Sequence, residues 1–223
     1  MTAPIGPVYG DVAEAVALAV LLSEFAMLRA QLVRSQIRIY VVQSLLVAAL
    51  AGVVAAERGI EGLWVTVALS VVLKVVVFPA LLFRLLGERR VELVASHRLG
   101  VATMVLIGLV LAAFGFFVGD GLPVVGGAPL PSAALGLAVA GIVVAFGLTI
   151  LRSDVVSQAV GFFSLENAAS LASLVVAAGL PLVEAVSLFF DLLVAIVVFG
   201  ILIRVHHRRQ GSLGTEELDR LRG

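Results

Sequence analysis

Apolar residues run through this chain in long blocks, several of them about 18 residues or more, separated by short polar connections. Each block is long enough to cross roughly 30 Å of hydrocarbon as a helix rising about 1.5 Å per residue. The blocks predict seven membrane spans, over residues 12–33, 39–56, 62–86, 99–118, 132–151, 155–178 and 181–205. The expected fold class is an all-α integral membrane protein. One connection breaks the helical pattern. Residues 119–131, GDGLPVVGGAPLP, are rich in Gly and Pro and carry no positive charge, which reads either as an external loop or as a structural boundary. This loop divides the chain into a four-helix part, residues 1–118, and a three-helix part, residues 132–209, with a short cytoplasmic tail at residues 210–223. In the tail, Thr215 and the acidic residues before Leu218 resemble a helix start.

Composition agrees with the bilayer as solvent. The chain is 61% hydrophobic and only 13% charged, with a mean hydropathy of +1.18, more apolar surface than one soluble core can hide. The surroundings expected are lipid, not nucleic acid. The opening stretch MTAPIGPVYGDVAEA lacks the basic region of a cleavable signal, so the first block is expected to be a retained helix.

The net charge of +0 conceals an asymmetry. Arg29, Arg34 and Arg38 follow the first span, and Arg84, Arg89, Arg90 and Arg98 follow the third. Arg152 follows the fifth, and Arg204, Arg208, Arg209, Arg220 and Arg222 follow the seventh. Of the remaining two basic residues, Arg58 follows the second span and Lys74 lies inside the third. By the positive-inside rule the N-terminus is outside and the C-terminus cytoplasmic, which requires an odd number of crossings in the inner (plasma) membrane.

Against this background, polar residues inside the spans carry the functional argument. An Asp, Lys or Arg at a helix centre costs about 2.5 to 3.5 kcal/mol on insertion scales, so such residues are expected to face protein or water. The candidates are Glu166 in span six, Glu184 and Asp191 in span seven, Lys74 in span three and, nearer the cytoplasmic end of span one, Glu24. Glu166 falls near the midplane, in GFFSLEN. Low dielectric favours the neutral form of a carboxyl, so a buried acid can take up and release a proton, or it can simply hold two helices together. Glu184 and Asp191 are two helical turns apart on one face, about 10 Å along the axis. Glu184 also reads as a helix-start acid. The short Gly179-Leu180-Pro181 corner makes spans six and seven antiparallel neighbours, which brings Asp191 level with Glu166. Lys74 precedes Pro79, which removes a backbone donor and can open the helix. Lys74 reads equally as a relay base and as the counter-charge of a buried acid. Small residues such as Ala168, Ala169 and Ser170 suit close packing against partner helices.

From Arg152 onward, LRSDVVSQAVGFFSLENAASLASLVVAAGLPLVEAVSLFFDLLVAIVVFGILIRVHHRRQ resembles the NuoK subunit of respiratory complex I. The whole layout, with IRIYVVQSLLVAAL and LKVVVFPALLFRLL in its first half, is similar to hydrogenase-4 component E (HyfE). The resemblance implies a membrane subunit of a group 4 nickel–iron hydrogenase-like or complex I-related assembly, with antiporter-like membrane subunits as partners. It implies that Glu166 matches one glutamate assigned to proton translocation in NuoK. Either Asp191 or Glu184 would match the other.

No cofactor is expected in this chain. Cysteine is absent, His97, His206 and His207 lie in cytoplasmic connections, and no Gly-rich phosphate loop is present. The expected role is thus a non-catalytic subunit of an oxidoreductase complex that moves protons or another small cation. A structural anchor and, with less support, a small-solute transporter are the alternatives; the two halves show no matched pair of interrupted helices of the transporter kind.

Overall fold

The computed structural model describes residues 7–86, 99–122, 131–177 and Gly200. Among them the regular structure is helical: α1 (Pro7–Arg29), α2 (Val33–Arg58), α3 (Glu61–Ser70), a π-helical segment (Val71–Val77), α4 (Phe78–Leu86), α5 (Val101–Asp120), α6 (Ser132–Leu151) and α7 (Val155–Ala177). Five helical stretches are long and apolar enough to cross a membrane, namely Val33–Arg58, Glu61–Arg84, Val101–Asp120, Ser132–Leu151 and Val156–Val176. The protein is therefore an all-α membrane protein. α1 is not among these five; its charges Asp11, Glu14, Glu24 and Arg29 are spread along the whole helix. The span expected at 181–205, with Glu184 and Asp191, lies outside the described residues apart from Gly200.

Several boundaries differ from the expectation. The first helix stops at Arg29 and the second starts at Val33, so Arg34 and Arg38 stand in the opening turns of α2. The turn closes early because Arg152 and Gln36 both donate to the carbonyl of Ala30. At the other end, α5 continues through Gly119 to Asp120, two residues into the expected loop. α2 finishes at Gly59, whose φ of 62° is the left-handed conformation that glycine accepts without strain; its N–H closes the last turn on the Ala55 carbonyl.

α5 and α6 form the tightest pair. A Cβ on Gly115 would stand 2.7 Å from the Cα of Ala140, and one on Gly119 would stand 2.8 Å from the Cα of Gly136. These four residues form small-xxx-small pairs on both helices, the arrangement that lets backbones approach where lipid offers no hydrophobic drive between helices. The helices on either side of the Gly/Pro-rich connection are thus closely packed together. α1 lies on α2, α5 and α6, while α7 lies on α6 and α2. Ala168 is fully buried and points at Gly141 of α6, so it packs within the chain and not against a partner subunit. The outward faces of α3 and α5, including Trp64, Val65, Leu109, Phe114 and Phe117, are apolar and exposed, as suits contact with acyl chains.

Inside the bundle the apolar core is divided. One cluster contains Met27, Leu28, Ile37, Tyr40, Phe78, Leu82, Leu148, Val160 and Phe163. The other contains Ala13, Ala17, Val20, Val47, Leu50, Val54, Leu63, Leu171 and Val175. On α1, α2, the helix around Lys74 and α7, the residues between these two clusters are polar.

Candidate functional site

The polar layer follows from antiparallel register. α1 and α2 reverse at residues 30–32, so Glu24 of α1 comes opposite Gln43 and Ser44 of α2. α7 runs beside α2 and presents Ser164, Glu166 and Asn167 at the same level. Each helix contributes about one turn of polar side chains, with apolar turns above and below.

Glu166 and Lys74 meet here. Lys74 Nζ lies 2.5 Å from Glu166 Oε1, and both residues are buried. Ser170, one turn further along α7, donates to the same Oε1 over 3.1 Å. Lys74 sits in the π-helical segment, five residues before Pro79. Proline cannot donate to the carbonyl four residues back, and its ring crowds that carbonyl. The helix responds with a wider turn, in which the N–H of Phe78 bonds to Leu73, five residues earlier. Sequence reasoning expected an opened helix at this point; the opening takes the form of a π turn that carries the lysine inward. Of the two roles the sequence left open for Lys74, counter-charge to a buried acid is the one visible in the geometry.

A second group of side chains surrounds Glu24, which is fully buried. Glu24 Oε1 accepts hydrogen bonds from Gln43 Nε2 at 2.7 Å and Ser164 Oγ at 2.5 Å. Ser164 Oγ is also 2.7 Å from Gln43 Oε1. Asn167 Nδ2 donates to Gln43 Oε1 at 3.1 Å and to Ser44 Oγ at 2.8 Å. Two oxygens in this group, Glu24 Oε2 and Asn167 Oδ1, are buried without a hydrogen-bond partner. Asn167 thus turns away from its neighbour Glu166 and joins α7 to α2. At about 100° per residue, α7 sends Ser164 and Asn167 toward α1 and α2 while Glu166 and Ser170 face Lys74.

Three of the five expected residues, Glu24, Lys74 and Glu166, therefore share one layer. Glu184 and Asp191 lie outside the described residues. Gln43, Ser44 and Ser164 were not singled out from the sequence, because an uncharged polar side chain in a span is common. Their shared depth with Glu166 was the available signal.

Arg152 was also underestimated. Read from the sequence only as the basic residue that follows the fifth span, it is fully buried, and its Nη2 donates to the carbonyls of Met27, Leu28 and Ala30 over 2.8 to 2.9 Å. A cation at a helix C-terminus complements the helix dipole and fills orphan carbonyls. Beside it, Asp154 caps α7 by accepting from the N–H of Ser157 at 2.7 Å.

Among known proteins, the chain is 32% identical over 154 residues to uncharacterized protein Rv0085 of Mycobacterium tuberculosis, a match that covers 67% of each chain. The chain belongs to that protein's family. No protein-family model matches the sequence. No solved structure matches it either. The relative's name carries no activity.

Proposed function

We propose that this chain is a membrane subunit of a group 4 nickel–iron hydrogenase-like or complex I-related respiratory assembly, and that its buried acids carry protons, or another small cation, through the membrane. In this reading the chain crosses the inner (plasma) membrane seven times, N-terminus outside and C-terminus cytoplasmic. Antiporter-like subunits are its neighbours, and electron transfer takes place in partner chains.

The observation that carries the proposal is the polar layer itself. Two acids, a lysine, two amides and three hydroxyls stand within about two helical turns of one another in a bundle whose interior is mostly hydrocarbon. Holding the helices together needs far less. The Lys74–Glu166 pair can be pulled apart and rejoined when a neighbouring charge changes, which is the electrostatic coupling that ion movement driven from another subunit requires. The distribution of arginines supports the orientation: Arg29, Arg34, Arg38, Arg84 and Arg152 all belong to one end of the bundle.

Glu166→Gln in the assembled complex is the test. The expected result is normal assembly with proton translocation lost or severely reduced. Normal translocation with normal assembly would instead assign the chain a purely anchoring role, in which the Lys74–Glu166 pair acts as glue.

A further inference from the structure

Glu24, Ser164 and Gln43, one side chain each from α1, α7 and α2, close a ring. Glu24 Oε1 lies 2.5 Å from Ser164 Oγ, Ser164 Oγ lies 2.7 Å from Gln43 Oε1, and Gln43 Nε2 lies 2.7 Å from Glu24 Oε1. We propose that this ring is a proton-loading site: Glu24 is the acid that carries the proton, and the Ser164 hydroxyl turns between Gln43 and Glu24 as the proton arrives and leaves. The inference deepens the ion-moving reading and rests on it for its purpose, but the proton on Glu24 is measurable without transport.

Two oxygen–oxygen contacts meet at Ser164 Oγ, and each is short enough to need a hydrogen between its oxygens. Ser164 supplies one. Gln43 Oε1 has none to give, because the amide hydrogens are on Nε2, where they reach Glu24 and the Val20 carbonyl. The second hydrogen is therefore the carboxyl proton of Glu24. In the neutral acid Oε1–H donates to Ser164, Ser164 donates to Gln43 Oε1, and Gln43 Nε2 donates back to Oε1, so the bonds follow one another round the ring and reinforce each other. Asn167 holds Gln43 in this sense, since its Nδ2 donates to the same Oε1. Glu24 Oε2, buried without a partner, is then a neutral carbonyl oxygen, which costs less to leave unmet than a charged one.

Release of the proton requires no heavy atom of the ring to move. Water takes it and leaves as hydronium; the bond broken is the carboxyl O–H, and the bond formed is on the water. Ser164 then swings its hydrogen from Gln43 to Glu24, and the carboxylate accepts from both Ser164 and Gln43. Gln43 Oε1 keeps the Asn167 donor and loses the Ser164 one, so a side-chain bond between α7 and α2 goes with the proton. Glu166 stands between Ser164 and Asn167 on α7, which couples the ring to the Lys74 pair through one helical turn. The neighbouring helices supply no charge to replace the proton. α6 carries no titratable side chain, and α5 carries Asp120 at its far end. α2 has Arg34, Arg38, Glu57 and Arg58 toward its ends and Tyr40 one turn from Gln43. On α7, Glu166 is engaged with Lys74. The neutral acid is thus the resting state, as for an intramembrane proton relay.

Infrared spectroscopy of the full chain in lipid nanodiscs tests this through the C=O stretch that a carboxylic acid has and a carboxylate lacks. Subtracting the Glu24→Gln spectrum from that of the wild type at neutral pH is expected to leave such a band, which moves to lower frequency after prolonged incubation in heavy water. Glu166→Gln is expected to keep the band. Ser164→Ala removes the acceptor of the acid's hydrogen and is expected to move the band to higher frequency, with Ser164→Thr restoring its position; a merely structural serine would leave the frequency unchanged. Absence of the band from the difference spectrum, or a band unmoved by heavy water or by Ser164→Ala, overturns the proposal. Proton translocation that survives Glu24→Gln in the assembled complex overturns it as well. Should Glu24 show no band while Glu166→Gln abolishes translocation, only this inference fails; the expected band together with normal translocation in Glu166→Gln would leave the proton site standing and sink the ion-moving reading.

Discussion

Lys74 and Glu166 are 92 positions apart in the sequence and 2.5 Å apart in the fold, joined across a bundle in which α2 packs against both of their helices. Removing either partner strands a charge in the interior, which typically costs about 3 to 5 kcal/mol, whereas replacing both by apolar groups is often neutral. Lys74→Met and Glu166→Leu are therefore each expected to lower thermal stability strongly in detergent. The double variant should recover most of the loss. Additive losses in a thermal-shift double-mutant cycle would mean that the two charges are not coupled in solution.

The approach of α5 to α6 yields a steric prediction. Gly115→Val places carbon where the Ala140 backbone already lies at 2.7 Å, and overpacking of this kind costs about 1 to 3 kcal/mol. Gly52→Ala is the contrast, because the nearest atom to its new Cβ is 3.8 Å away on Trp64. That change is expected to be neutral or stabilising by up to about 1 kcal/mol, since alanine is the better helix former. Denaturant or thermal unfolding of the two variants side by side decides the matter.

Arg152 holds the end of α1, and so its loss should loosen the turn to α2. Arg152→Gln deletes the charge-assisted contacts of Nη2, whose two hydrogens are shared among three carbonyls; one bond of this class is worth about 1.5 to 3 kcal/mol. Trypsin cleavage after Arg29 or Arg34 is expected to be faster in this variant than in the wild type. Unchanged cleavage would show that packing of α1 on α6 suffices to hold the turn.

Because the chain has no cysteine, its orientation can be mapped with single introduced thiols. Asp120 and Ser153 are exposed at opposite ends of the bundle. In intact cells a membrane-impermeant maleimide is expected to label Asp120→Cys and not Ser153→Cys. The reverse pattern would invert the proposed topology.

Much of this architecture was legible in the string of residues, and the exceptions have identifiable causes. The span at 132–151 coincides with α6 because Pro131 and Arg152 punctuate it on both sides. The first two spans were misplaced because hydropathy alone sets no boundary where Arg34 and Arg38 join a helix and a buried arginine closes the turn. Lys74 and Glu166 were visible as charges in hydrocarbon. Their pairing was not, since it depends on how α2 spaces two helices. Gln43 and Ser164 were invisible for a related reason: a neutral polar residue signals nothing until register puts it level with an acid. Arg152 misled because the positive-inside rule accounts for an arginine at that end without any need for burial.

The division of the core has an electrical meaning. Glu24 and Glu166 are 0% and 2% exposed, so the layer is sealed within the described residues. Seated between two insulating slabs, a charge in this stratum feels only part of the transmembrane potential, whose full drop amounts to about 2.3 kcal/mol per elementary charge per 100 mV. In the proposed ion-moving reading, traffic waits until the contacts above or below the layer part, and Tyr40, Phe78 and Phe163, packed edge-on and tilted against one another beneath it, are the door on the side where the arginines gather.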